Sequence, residues 1–230
     1  MKKSKNWNTF LIEFMSVFIA VVFAFGLNNW NDNRKDSVTE QKILSEISNG
    51  LKKDIEDIKQ NIGGHKGAII GCNYWRRVIN NKPFGKDSLQ MFFSSLTRDY
   101  ISIQNKAGYE TLKSKGLELI KNDDLRLAII SIYEYDYEVL RKLEESYNET
   151  QFHTNYYKDL NRIISPYIIL DEVGNIKDIE LSEELNRTDK NTFIGYLLKI
   201  ESNRMFILNY YTELMKNTSS LILNIDKELK

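Results

Sequence analysis

The stretch from Phe10 to Leu27 constrains this chain more than any other, because it reads FLIEFMSVFIAVVFAFGL and carries one charge, Glu13. About 17–25 apolar residues carry a helix across a bilayer, so the run sits at the short end of that range. The fourteen residues after Glu13 also fit the apolar core of a signal peptide, with Val22-Phe23-Ala24 as a passable cleavage site. Three features favour a retained anchor. Phe10, Leu11 and Ile12 extend the apolar run ahead of Glu13, Trp7 and Trp30 flank it where aromatic belts lie, and Asn28, Asn29, Trp30 and Asn31 form an abrupt polar edge. Under either reading the rest of the chain is exported.

Lys2, Lys3 and Lys5 precede the segment, whereas Arg34 and Lys35 after it are mixed with Asp32 and Asp36. This bias places residues 1–9 in the cytoplasm, a transmembrane helix over 10–27, an exit linker over 28–36 and an extracytoplasmic domain over 37–230. Glu13 has two readings. A carboxylate at the centre of a spanning helix costs roughly 2.5–3.5 kcal/mol, which marks it as functional by default, pairing with or passing protons to a partner helix. It stands only three residues into the run, however, about 4–5 Å along the axis, where a side chain can snorkel to the headgroups and set helix depth. Snorkelling is the simpler expectation, and both remain open.

The order of Glu13, an apolar run, Asn28-Asn29-Trp30-Asn31-Asp32 and then Arg34-Lys35 resembles an uncharacterised bacterial family of single-pass membrane proteins. In that family Gly-Glu opens a Val/Ile/Leu-rich span that ends in Asn-Asn-Trp-Asn-Glu. The resemblance covers roughly the first 60 residues, and more loosely YETLKSKGLELIKNDDL from Tyr109 to Leu125. Ile12 stands where the family has Gly, and Asp32 replaces Glu. The resemblance implies a retained anchor and a helical extracytoplasmic region. It implies no established reaction and supplies no catalytic residues.

Beyond the anchor the chain reads as all-α, an elongated antiparallel helical bundle. Two prolines and 11 glycines in 230 residues are too few for a turn-rich β architecture. Leu44, Ile47, Leu51, Ile55, Ile58 and Ile62 form an apolar stripe on the first helix, with Lys52, Lys53, Glu56, Asp57 and Lys59 outside. Gly63, Gly67 and Gly71, four apart, mark either a tight crossing or a break. Asn80 to Pro83 ends that region. A helix follows over about Lys86 to Arg98 with Leu89, Phe92, Phe93 and Leu96 inward, and a shorter one over Tyr109 to Ile120. Asn122 caps the next helix, whose first turn carries Asp123 and Asp124. Leu125, Ile129, Ile132, Tyr133, Tyr137, Leu140 and Leu143 are its inner stripe, and the interleaved Glu134, Asp136 and Glu138 scatter around the cylinder. Tyr167 to Leu170 and Ile176 to Leu181 flank a Gly-Asn turn and suggest a small hairpin near 167–181.

The last helix has the strongest pattern. Phe193, Leu197, Ile200, Arg204, Ile207, Tyr211, Leu214, Thr218, Leu221 and Ile225 keep strict 4-3 spacing, which points to a coiled-coil-like seam against the first helix or a second copy. Arg204 and Thr218 occupy seam positions and are candidates for setting register, although Arg204 could simply point outward where the seam is loose.

The 32 acidic and 32 basic residues balance, which disfavours nucleic acid as a partner. Cys72 is alone, and His65 and His153 are far apart without ligand spacing, so neither a disulfide nor a metal or other cofactor is expected. No nucleophile, phosphate loop or catalytic cluster stands out. The expected role is a non-enzymatic interaction or sensing module of the cell envelope, binding a protein partner, itself or a small ligand. The alternative is an accessory subunit of a membrane transport or motor complex that uses Glu13 within the bilayer. A plain structural tether is the third reading.

Overall fold

In the computed structural model, which describes residues 6–181 and 185–230, one helix runs without interruption from the apolar segment into the domain. This is α1, Asn6–Ile79, and at 1.5 Å per residue its 74 residues extend roughly 110 Å. The expected exit linker over 28–36 is helical throughout, and the glycines at 63, 64, 67 and 71 do not break the helix. Lys2, Lys3 and Lys5, on which the orientation rested, lie outside the described residues.

After α1 come α2 (Leu89–Leu96), α3 (Ala107–Lys115), α4 (Asp123–Ile130) and α5 (Tyr137–Glu145), the last two joined by a π-helical stretch over Ser131–Asp136. A second π-helical turn, His153–Tyr157, leads into α6 (Lys158–Ile164). Strands β1 (Ile168–Leu170) and β2 (Ile176–Ile179) form the expected antiparallel hairpin. Its turn holds Gly174 at φ +89°, a conformation that favours glycine, while Asp171 Oδ1 accepts from the amides of Val173 and Asn175. The chain closes with α7, Arg187–Glu228, whose first turn is capped by Asn186 Oδ1 accepting from the Asp189 amide. Asn122 caps α4 in the same way through the Leu125 amide.

α1 and α7 pack antiparallel as the spine of the domain, with the shorter elements against them. All ten seam positions of α7 are buried, as their spacing requires. The α1 seam differs from the apolar stripe. Its buried residues include Leu44, Ile47, Leu51, Asp54, Ile58, Asn61, His65, Ala68, Cys72, Trp75 and Ile79, an unbroken alternation of three and four, with Ile43, Ser48, Gly71 and Val78 buried beside it. Ile55 and Ile62, the apolar residues of the stripe, are only half-buried flankers of Asp54 and Asn61. Polar contacts pin the register: Lys52 Nζ lies 3.1 Å from Asp226 Oδ2, Arg204 Nη1 lies 3.0 Å from His65 Nδ1, and Arg76 pairs with Glu201.

The core is therefore in two parts. One apolar cluster gathers Ile43 to Ile58 of α1 with α3, α4, α5 and the end of α7. The other gathers Cys72 to Ile79 with α2, α6, β2 and the start of α7. Asn61, His65 and Arg204 lie between them.

Candidate functional site

Two regions qualify, and they lie far apart on α1. In the first, residues 10–36 are exposed along their whole length. α1 thus holds a segment long and apolar enough to cross a membrane, with none of it covered by the domain. Glu13 is exposed near its start, and its carbonyl accepts from Ser16 Oγ at 2.8 Å. At the other end Asn28 Nδ2 donates to Asp32 Oδ2 at 3.1 Å, Lys35 lies 3.6 Å from Asp32, and Asn29, Trp30 and Asn31 face outward. The amide and ion-pair contacts along one face explain how a polar edge remains helical.

The second region is the polar middle of the domain, where the two seam candidates of α7 lie. Arg204 does not point outward: it is fully buried. Its Nη2 donates to the carbonyls of Ser95, Leu96 and Arg98 at 2.9–3.2 Å, so the guanidinium caps the C-terminal end of α2 from inside the core. A cation is favourable there because those carbonyls lack helical partners and carry the negative end of the helix dipole. The guanidinium also lies 3.9 Å from the centroid of the Phe152 ring. Burial pulls it down to about 10, which leaves it charged at neutral pH.

Since arginine only donates, His65 Nδ1 must accept from Arg204, and the neutral imidazole keeps its proton on Nε2. Burial and the adjacent cation push this histidine down to about 3. Tyr100, Tyr211 and Phe152 surround the ring at centroid distances of 5.0–6.2 Å. Gly64 makes that arrangement possible: a Cβ there would stand 2.2 Å from Cε1 of Tyr100.

Below Arg204, residues 97–106 cross the domain with neither helix nor strand, so their amides need side-chain acceptors. Three carboxylates supply them. Glu144 accepts from the Ser102 amide at 3.0 Å, Asp57 from the Ile103 amide at 3.2 Å and Asp54 from the Asn105 amide at 2.8 Å. Ser102 Oγ further ties Asn61, Glu144 and Tyr211 together, and Tyr137 donates to Asp54 at 2.7 Å. Burial raises Glu144 and Asp57 above the usual carboxylate range. Thr218, the other seam candidate, is fully buried against Tyr137.

Arg204 thus lies with His65 in the same polar middle as Asp54, Asn61 and Glu144, about 35–50 Å along α1 from Asn31, whereas Thr218 is buried beside Tyr137 with no hydrogen bond from its hydroxyl among the described residues. Sequence reasoning missed His65, Asp54 and Asn61 because it followed apolar residues. The signal was present in the heptad phase, which extends back from Ala68 and Trp75 through those polar positions. Burial also holds Cys72 up to about 12, an unreactive thiol.

No curated protein and no solved structure matches this chain. One family does, over residues 13–165, a stretch that takes in Glu13, the polar edge, His65, the three carboxylates and the 97–106 crossing but not α7. The match takes in about two thirds of the chain, and the chain belongs to the family of unknown function DUF6090.

Proposed function

We propose that this protein is a membrane-anchored, non-enzymatic interaction or sensing module of the bacterial cell envelope. Phe10 to Leu27 sits in the inner, cytoplasmic membrane, residues 1–9 are cytoplasmic, and the domain stands on the periplasmic or extracytoplasmic side. There its helical surface meets a protein partner, a second copy or a small ligand. One observation carries the reading: a single unbroken helix is wholly exposed along its apolar part and wholly engaged along its seam. The apolar part needs surroundings that only a bilayer or another protein supplies.

The test is crosslinking of the full chain in native membranes with identification of whatever is captured, combined with cysteine-accessibility labelling on both sides of Phe10 to Leu27. A chain that is released by high salt, or that stays monomeric and captures nothing, would count against the proposal. The alternative, an accessory subunit of a transport or motor complex, draws on the exposed Glu13 carboxyl within the span. Glu13→Gln separates the two, because only a subunit that uses this carboxyl loses its complex or its activity.

A further inference from the structure

One surface cleft brings together donors that neither the anchor nor the polar crossing uses. A cleft of about 430 Å³ opens between the end of α2, the start of the 97–106 crossing and the π-helical turn His153–Tyr157. Phe93, Ser94, Arg98, Asp99, His153 and Tyr157 are among the residues that line it. Among the described residues the Arg98 guanidinium, the His153 imidazole and the Tyr157 hydroxyl have no hydrogen-bond or ion-pair partner. The cleft's own carboxylate is engaged elsewhere: Asp99 Oδ1 accepts from the amides of Phe152 and His153 and so holds the π turn in place. That turn lays His153 flat on Tyr157, with ring centroids 4.5 Å apart and planes 17° apart. π-helical turns are rare and are frequently found at functional sites.

From this arrangement we propose that the cleft binds the anionic group, phosphate or carboxylate, of a small water-soluble molecule. A guanidinium offers such a group two parallel donors, the imidazole and phenol add further donors, and Phe93 with the stacked pair provides an apolar wall for the body of the ligand. A headgroup of the anchoring bilayer is a poor source. Tyr100, two residues from Arg98, packs on Gly64, which lies about 55 Å along α1 from Leu27. Binding also reaches the core, because the Arg98 carbonyl is held by Arg204 and the next residue, Asp99, fixes the π turn.

The inference rests on reading the domain as a ligand-binding module, and its failure leaves the anchoring untouched, since crosslinking tests that separately. The experiment uses the full chain in uncharged micelles, titrated with inorganic phosphate, acetate or, at matched ionic strength, chloride. Thermal unfolding and the ring resonances of His153 and Tyr157 are followed. Phosphate or acetate should give saturable stabilisation and ring shifts that chloride does not. Arg98→Gln and His153→Gln, both at exposed positions, should each weaken the apparent affinity roughly tenfold or more, while Lys42→Gln leaves it unchanged. Absence of saturation, or equal binding in both variants, overturns the proposal. So does a response seen only when anionic lipid replaces zwitterionic lipid in reconstituted bilayers, which would assign the site to a headgroup.

Discussion

Two stretches of α1 are built inside out with respect to each other. Over 10–27 the side chains are apolar and exposed, whereas over 54–65 the helix turns Asp54, Asn61 and His65 inward. A helix propensity scale sees no difference between these stretches. Their surroundings decide: the first must find an apolar environment outside the chain, and the second carries polar groups whose partners the chain itself supplies. A buried polar group is costly only when its partners are missing: Asp54, Asn61 and His65 Nδ1 find theirs in α5, α7 and the crossing, whereas His65 Nε2 and Arg204 Nε have none among the described residues.

The comparison breaks most sharply at Arg204. Arg204→Ala strips a donor from three buried carbonyls and from His65, and should lower domain stability by about 3–5 kcal/mol, read as the urea midpoint of the micelle-bound chain. A loss under ~1 kcal/mol would mean that the polar middle is not what joins the two apolar clusters. Val21→Asp attacks the other end. It should weaken membrane insertion by roughly 2.5–3.5 kcal/mol, visible as chain recovered in the soluble fraction, with the urea midpoint of the domain unmoved. If the midpoint falls as well, the two regions are not independent.

Acid sharpens the contrast within the polar middle. Folded His65 resists protonation down to about 3, whereas unfolded chain takes up that proton near 6.5. The unfolded state thus binds more protons below 6.5, and stability should fall by about 2 kcal/mol on going to pH 5. His65→Gln should flatten that slope in a pH series of urea unfolding curves. Glu144 and Asp57 act in the opposite sense, because their raised values make the folded state the better proton binder, so Glu144→Gln should deepen the acid loss. The smallest effect belongs to a cap far from both regions: Asn122→Ala should cost about 1 kcal/mol with no change in pH slope.

Much of this fold is legible in local pattern. Spacing alone identifies the ten seam residues of α7, the Asn122 cap and the Gly-Asn hairpin, since each depends on neighbours within a few residues. Asp54, Asn61 and His65 are illegible for the converse reason. Ser102, Tyr137 and Arg204, which make them tolerable inside, lie 41 to 139 positions away. The same holds for Arg204, whose acceptors are the end of a helix that heptad spacing does not mention. Local pattern left the passage through Gly63 and Gly64 open, and packing against Tyr100 shows why a small residue stands at Gly64 in a helix that continues. The two π-helical turns carry no sequence signal of their own, and the cleft at His153 went unseen with them.

Because α1 has no break between Leu27 and Leu44, the azimuth of the domain about the helix axis is geared to the span. One residue inserted between Asn31 and Val38 would turn the entire domain by about 100° and lift it about 1.5 Å. Seven would lift it about 10 Å yet return it to within roughly 20° of where it began. Any partner that must meet both the bilayer segment and the domain would feel the first change as a misalignment and the second only as added height.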